Sequence, residues 1–193
     1  EAAKYGEIYT EWAPNEKVAC EVAIGASFAG QRAFCAMKHV GLNVAADPLY
    51  TASYIGVNGG LVVGVADDPG MFSSQNEQDT RRHAIAAKVP VVEPSDSEEC
   101  RDFVKYAFEL SEKFDTPVIL RLTTRVAHSR SLVELCERSV PEQKPYVKNI
   151  QKNVMMPAMA KGRHVFVEKR MKELSEYGSD CPFNRVEMAS TDI

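Results

Sequence analysis

Polar and turn-forming residues stand directly after the apolar segments of this sequence, and they are the first candidates for chemistry. His39, with Gly41 and Asn43, follows the segment AFCAMK. Asp67 follows LVVGVA, and residues 123–128 follow PVILRL. Because ligands of open α/β sheets bind at the carboxyl ends of the strands, this spacing predicts a small-molecule site formed by these positions.

Glu16 is a further candidate, because its carboxylate is predicted to point from the first turn of a helix. The residues that follow it, KVACEVAIGA, place small and apolar side chains along one face, which lets a flat ligand or another backbone approach closely. A carboxylate at this position also interacts favourably with the helix dipole, by about 0.3–1 kcal/mol. The residues alone therefore favour a structural role for Glu16.

The sequence has none of the short motifs that identify common catalytic or phosphate-binding sites. It contains no GxGxxG after a predicted strand, no GxxxxGK[ST] and no GxSxG. The four histidines are dispersed, and a lone histidine is more often a hydrogen-bonded structural residue than a base or a ligand. His39, at the end of a predicted strand, is the histidine that we retain as a site candidate.

Composition and charge exclude several classes of function. The 193 residues carry a net charge of −4, with 27 acidic and 23 basic residues mixed along the chain, so nucleic-acid binding has no support. No apolar run reaches the ~20 residues of a membrane-spanning helix, and the first residues lack a signal-peptide pattern, which favours a cytoplasmic protein. The five cysteines are widely spaced without a CxxC pair, so no metal ligands are expected in this chain.

The apolar pattern predicts alternating helices and strands. Four helices are predicted: one that begins at Pro14, one over residues 47–54, one that ends at about Lys88 and one over residues 96–114. Strands are predicted at residues 33–39, 61–66, 89–92 and 117–122. Strands and helices that alternate at this spacing form βαβ units with right-handed crossovers. The predicted fold class is therefore α/β, a doubly wound parallel sheet with flanking helices.

The regular pattern fades after Thr123. Residues 131–136 are predicted to form an edge strand, and residues 154–177 a helix. We therefore divide the chain into a domain of residues 1–139 and a helical C-terminal extension, residues 140–193, that leads to a further domain. The chain begins at Glu1 rather than at methionine, and we therefore interpret it as a piece of a longer protein.

Several long segments resemble one enzyme family. NEKVACEVAIGASFAG resembles the glutamate helix of thiamine diphosphate enzymes, with Glu16 nine positions before Gly25. The strings KHVGLNVAADPL, VADDPGMFSSQNEQDTR, PVILRLTTRVAHSRSLVEL and MMPAMAKGRHV are similar to the large subunit of indolepyruvate:ferredoxin oxidoreductases. By this resemblance the chain is identified as a member of the 2-oxoacid:ferredoxin oxidoreductase family, and residues 1–139 as its pyrimidine-binding domain.

The resemblance implies a function, a cofactor and partners. Glu16 would hydrogen-bond the pyrimidine ring of thiamine diphosphate and activate it for the oxidative decarboxylation of a 2-oxoacid, indolepyruvate or another aryl pyruvate. Coenzyme A would accept the acyl group, and iron–sulfur clusters would pass the electrons to ferredoxin. The resemblance also implies a small partner subunit, the remaining domains of the large subunit and an oligomer.

The sequence departs from the family pattern in ways that limit what this piece does. The family's N-terminal strand, its diphosphate- and magnesium-binding domain and its cysteine-rich domain have no counterpart here. Magnesium and the iron–sulfur clusters are therefore expected in other domains, and the piece alone is expected to be inactive. Where related pyruvate enzymes carry a carboxylate-binding arginine, this chain has Asp67 and Asp68.

The expected site residues combine strand-end position with family position. They are Glu16 as the catalytic residue, Glu16, Gly41 and Asn43 as cofactor contacts, and His39, Asp67, Ser73, Ser74 and Asn76 on the substrate side. Arg81, Arg121 and Arg125 are candidates for binding the substrate carboxylate.

Two alternatives stay open. The first is a non-catalytic assembly domain of the same α/β fold, whose alanine-rich face serves only subunit association. The second is a carboligase or decarboxylase of the broader thiamine class, which shares the glutamate helix but lacks the VADDPGMFSSQNEQD string. Glu16 distinguishes the assembly domain from a catalytic domain, because subunit assembly tolerates glutamine at position 16 and thiamine activation does not.

Overall fold

In the computed structural model, which describes residues 2–184 and 186–187, four parallel strands form one sheet. The strands are β1 (Ala33–Lys38), β2 (Leu61–Asp67), β3 (Val91–Val92) and β4 (Val118–Thr123), in the order β1-β2-β4-β3. The register pairs Lys38 with Ala66 and Asp67 with Thr123. The ends of β1, β2 and β4 therefore lie at one carboxyl edge of the sheet.

Helices connect the strands and cover the sheet. They are α1 (Glu16–Phe28), α2 (His39–Val44), α3 (Ala46–Ile55), α4 (Thr80–Ala87), α5 (Ser97–Phe114), α6 (Thr124–His128), α7 (Ile150–Asn153) and α8 (Pro157–Ser179), after a short 3-10 helix at Ala2–Lys4. Side chains of α1 to α4 share one buried cluster with Val63 and Val65 of β2, and α5 packs with Val62 on the opposite face. Helices thus flank both faces, which confirms the predicted doubly wound parallel sheet.

The burial of the central strand, β2, explains why the fold class could be predicted from the sequence. Every residue from Leu61 to Val65 is buried, because β2 has a strand on each side and helices on each face. Burying one such aliphatic side chain contributes about 1.5–3 kcal/mol. A continuous apolar run bounded by turns is therefore the pattern expected of a central parallel strand.

Three local predictions were wrong. His39 was predicted at the end of β1 but begins α2, since pairing with β2 stops at Lys38. Gly41 was predicted to open a loop but lies within α2. Residues 131–136 form no strand, and Leu132 and Leu135 in this segment are fully exposed; an apolar pattern alone does not supply a neighbouring strand to pair with.

The helical C-terminal extension packs back onto the sheet domain. Val167 and Arg170 of α8 are buried, and the Arg170 guanidinium donates to the carbonyl oxygens of Asp115 at 2.8 Å and of Ser53 at 2.9 Å. Burial lowers the pKa of Arg170 to about 10. The predicted helix is therefore present, while the domain boundary after residue 139 stays a prediction. Residues 185 and 188–193 of the predicted extension lie outside the described residues.

Candidate active site

Glu16 and Gly41 meet at the carboxyl edge of the sheet. A methyl group placed on Gly41 would lie 2.5 Å from Cγ and 2.6 Å from Oε1 of Glu16, so the glutamate side chain rests directly on the glycine backbone. Gly41 lies three residues after the end of β1. The contact therefore brings together the predicted catalytic residue and one predicted cofactor contact.

The start of α1 fixes where Glu16 points. Asn15 is the N-cap residue, with an extended backbone, and its side-chain oxygen accepts a hydrogen bond from the amide of Val18 at 3.0 Å. Lys17 forms a salt bridge of 2.9 Å with Asp47 on α3. These contacts define the first turn of the helix, in which Glu16 is the first residue.

Loss of the Asn15 cap should weaken this turn. Asn15→Ala leaves the amide of Val18 without its side-chain partner, and we expect the free energy of unfolding to fall by about 1 kcal/mol. The measurement is urea denaturation of the wild type, Asn15→Ala and Asn15→Asp. Asn15→Asp is the control, because aspartate retains an oxygen that accepts the same hydrogen bond. Equal stability of all three proteins would contradict the capping role.

The carboxylate of Glu16 is available to a ligand. Its side chain is half-buried, and no hydrogen bond or ion pair engages its carboxylate within residues 2–184 and 186–187. Its cationic neighbour Lys17 is paired with Asp47. A carboxylate that is partly shielded from water and lacks a protein partner can accept a hydrogen bond from a protonated ring nitrogen.

The side chain of His39 is buried and lies between two backbone carbonyl groups. Its ring nitrogens are 3.3 Å from the carbonyl oxygen of Ala66 and 3.1 Å from that of Asn76. A neutral imidazole has one N–H donor, so the tautomer decides which of the two carbonyl oxygens accepts the hydrogen bond. The ring connects the end of β2 to the loop that follows it, and it has no exposed surface with which to touch a ligand.

Asp67 is likewise engaged by the protein. Its carboxylate accepts hydrogen bonds from the amide of Thr80 at 3.0 Å and from Nε of Arg121 at 2.6 Å, and the Thr80 hydroxyl donates to its other oxygen. Arg121 also pairs with Glu93. These contacts place the first residue of α4 and occupy Arg121, which reduces its availability to a substrate carboxylate.

Asp68 organises the β2–α4 loop, residues 68–79, and sequence reasoning missed this role. Its carboxylate accepts hydrogen bonds from the Ser74 hydroxyl at 2.6 Å, the Ser73 amide at 2.8 Å, the Thr124 hydroxyl at 2.8 Å and the Phe72 amide at 3.2 Å. These donors, Ser74 first, hold the pKa of Asp68 well below its usual range. The stabilisation is therefore present at neutral pH and is lost only as the pH falls below the ordinary aspartate range. The serines that follow the DPG turn are the signal that could have indicated it.

The remaining predicted residues lie near this edge without meeting in one cluster. Ser74 is bound to Asp68, and the carbonyl oxygen of Ser73 accepts a hydrogen bond from Lys38 at 2.9 Å. Asn76 is exposed, and its side-chain oxygen accepts a hydrogen bond from the side-chain Nε2 of Gln78 at 2.8 Å. Asn43 is exposed on α2, the helix that carries Gly41. The structure therefore joins Glu16 to Gly41 and links the loop to α2 through His39.

The three candidate arginines differ in what engages them. Arg81 forms a salt bridge of 2.8 Å with Asp79, and Arg121 is paired with Asp67. Arg125 is exposed on α6, and no ion pair engages it in the part of the chain that the structure describes. Since α6 directly follows β4, Arg125 lies near the carboxyl edge of the sheet, without an ion-pair partner among the described residues.

Comparison with known proteins identifies the family of the chain. The family model described as pyruvate flavodoxin/ferredoxin oxidoreductase, thiamine diP-binding, matches residues 2–179. The chain belongs to this family. The resemblance inferred from the sequence is therefore confirmed.

Relatives of high identity carry a more specific name. The chain is 50% identical over 191 residues to the indolepyruvate oxidoreductase subunit IorA of Pyrococcus horikoshii, covering 96% of this chain and 30% of the relative. It is 51% identical over 186 residues to the protein of the same name from Pyrococcus abyssi, covering 93% and 29%. The relative from Archaeoglobus fulgidus is 44% identical over 191 residues, covering 97% and 30%. The chain thus spans about 30% of the length of the curated relatives it matches.

A solved structure shows the same fold. The 2-oxoglutarate:ferredoxin oxidoreductase from Magnetococcus marinus, with 2-oxoglutarate, coenzyme A and succinyl-CoA bound, aligns with a TM-score of 0.62 and 16% identity. The alignment covers 92% of this chain and 38% of that chain. At this identity the likeness supports the fold of the chain and carries no information on its substrate.

The described residues contain neither a membrane-spanning helix nor a cluster of metal-ligating side chains. No helix in the described ranges combines the length and the apolar character needed to cross a membrane. No group of three or more histidine, cysteine, aspartate or glutamate side chains among residues 2–184 and 186–187 is arranged to hold a metal ion.

Proposed function

We propose that this chain supplies the pyrimidine side of a thiamine diphosphate-dependent active site that oxidatively decarboxylates 2-oxoacids to acyl-CoA. The proposed substrates are indolepyruvate or other aryl pyruvates, because relatives 44–51% identical to the chain are named indolepyruvate oxidoreductase subunits. The observation that carries the proposal is the half-buried carboxylate of Glu16, which rests on Gly41 and has no partner among the described residues.

The residues present fit the pyrimidine end of the cofactor. When bound, thiamine diphosphate supplies a carbon nucleophile and an electron sink for decarboxylation. The carboxylate of Glu16 accepts a hydrogen bond from a ring nitrogen and holds the proton there. Gly41 lets that carboxylate lie against the backbone of α2, since a side chain would occupy the same space. Asn43, exposed on the same helix, is a proposed further contact.

Substrate binding is proposed to use the groups that the fold leaves free. Arg125, which no described residue engages in an ion pair, is assigned to the substrate carboxylate. His39 and Asp67 are assigned to positioning, because their polar atoms already face protein groups. Ser73, Ser74 and Asn76 line the substrate side through the β2–α4 loop.

The rest of the reaction is proposed to lie outside this chain. The remaining domains of the large subunit would bind the diphosphate, magnesium and the iron–sulfur clusters, because the chain spans about 30% of its relatives. A small partner subunit, coenzyme A and ferredoxin complete the proposed assembly, which we place in the cytoplasm. The isolated chain would then be inactive.

A purely structural role for the domain is the second candidate. Trp12 is fully exposed, and so are Leu132 and Leu135 in a segment without regular structure. Large exposed apolar side chains favour contact with other domains or subunits. Such contacts are compatible with catalysis as well, so the effect of replacing Glu16 on turnover distinguishes the catalytic role from the purely structural one.

Reconstitution tests the proposed function. The complete large subunit is assembled with its partner subunit, thiamine diphosphate, coenzyme A and ferredoxin, and electron transfer is assayed with indolepyruvate, pyruvate and 2-oxoglutarate. We expect the highest kcat/KM with indolepyruvate. Turnover of none of the three 2-oxoacids by an enzyme with bound cofactor would contradict the proposal, whereas preference for another one would correct only the substrate.

A further inference from the structure

The tip of the β2–α4 loop presents two large apolar side chains at the surface. Met71 is 52% exposed and Phe72 is 80% exposed. Met71 forms a tight turn with Gly70, in which Gly70 has a φ of 85° and Met71 a φ of 55°. Phe72 directly follows this turn. A non-glycine residue in the left-handed region costs free energy, so the surrounding contacts must hold this turn in place.

Those contacts are present at the base of the loop. The Asp68 carboxylate accepts the hydrogen bonds from the residues after the turn, as described above, and the Asp68 carbonyl accepts from the amide of Met71 at 3.0 Å. Gly70 donates its amide to Glu77 at 2.9 Å, and Lys38 donates to the carbonyl of Ser73. A loop that is already ordered in this way loses little further conformational entropy when its exposed side chains bind a ligand.

The loop and Glu16 both contact α2, at the carboxyl edge of the sheet. His39 contacts the carbonyl oxygen of Asn76 at 3.1 Å, and Gly41, two residues later in the same helix, supports Glu16. His39 and Gly41 lie within the first turn of α2, directly after the end of β1. The ordered loop and the catalytic carboxylate are therefore attached to the same turn of α2.

We propose that Met71 and Phe72 contact the aryl side chain of the 2-oxoacid and set the preference for aryl pyruvates over pyruvate. This inference rests on the proposed function. Since the amides of Phe72 and Ser73 donate to Asp68, the tip offers a ligand apolar surface rather than hydrogen bonds. An aromatic ring gains from stacking on phenylalanine and from contact with a thioether, and the methyl group of pyruvate gains far less from either.

The test is the substrate preference of Phe72→Ala in the complete, assembled enzyme. We expect kcat/KM for indolepyruvate to fall about tenfold, while kcat/KM for pyruvate changes by less than about twofold. Tyr146→Ala is the matched control, because Tyr146 is also an exposed aromatic residue and lies near Gly30, before the amino end of β1. It should leave both values unchanged.

Three outcomes would overturn the inference. An equal loss with both substrates would mean that Phe72 packs against another domain, and no change with either would mean that it touches no substrate. The Kd of indolepyruvate, measured with the cofactor-loaded enzyme, tests the same contact without turnover, and equal Kd values for wild type and Phe72→Ala would also overturn it. Failure of the proposed function is distinct, since it appears in the wild type as absence of turnover with every 2-oxoacid.

Discussion

Glu16→Gln in the complete enzyme is expected to lower kcat about 100-fold or more while the protein stays folded. Glutamine keeps the size of the side chain and an oxygen that accepts a hydrogen bond, but it carries no negative charge to hold a proton on the pyrimidine ring. The carboxylate has no partner among the described residues, so its replacement breaks no hydrogen bond or ion pair with any of those residues. The loss should therefore appear in kcat with indolepyruvate and with pyruvate alike.

Glu21→Gln is the control for Glu16→Gln. Glu21 is an exposed glutamate of the same helix, one and a half turns further along, so its replacement changes the charge of α1 by the same amount. Turnover should be unchanged in Glu21→Gln, and circular dichroism and thermal unfolding should match the wild type for both variants. Near-normal turnover of Glu16→Gln would refute its catalytic role and favour the assembly domain.

Much of the fold could be predicted from the sequence because its central strands are buried on all sides. The run LVVGVA is apolar throughout and PVILRL is apolar except for Arg121, and both contribute the inner strands of the sheet. The predicted strand at residues 131–136 failed for the complementary reason. A strand needs a neighbour as well as an apolar pattern, and this segment lies where no strand pairs with it in the described structure.

The site was predictable in its location but not in the division of roles among its residues. The strand-end rule identified His39 and Asp67, which do lie at the carboxyl edge. It gave no indication that Arg121, two residues before the end of β4, would pair with Asp67. Which polar side chains bind one another is set by the register between neighbouring strands, and that register depends on contacts distant in sequence.

Asp68 illustrates the same limit. The sequence shows two consecutive aspartates after the predicted strand at residues 61–66, and nothing in the pattern distinguishes their roles. In the structure Asp67 binds Thr80 and Arg121, whereas Asp68 turns towards the loop and towards Thr124. Successive residues of a strand point to opposite sides, so neighbouring carboxylates at a strand end can serve different elements.

Gly41→Ala is expected to lower kcat about 10- to 100-fold without unfolding the protein. The new methyl group would lie 2.6 Å from Oε1 and 2.8 Å from Cδ of Glu16, which is too close for non-bonded atoms. The flexible glutamate side chain can move away, so the carboxylate is displaced while the fold is kept, and a displacement of about 1 Å can cost 100-fold in rate. Alanine is the better helix former by about 1 kcal/mol, which offsets part of the strain in α2.

Gly162→Ala provides the matched control, because Gly162 lies within α8 and, apart from the backbone of α8 itself, a methyl group there would meet no atom of the described residues within 4 Å. It should leave kcat unchanged and raise the free energy of unfolding by up to about 1 kcal/mol. The double variant, Glu16→Gln with Gly41→Ala, then tests whether Gly41 acts through Glu16. If it does, Gly41→Ala should lower kcat little further once the carboxylate is gone. A full additional loss in the double variant would show that the methyl group disturbs some other part of the site.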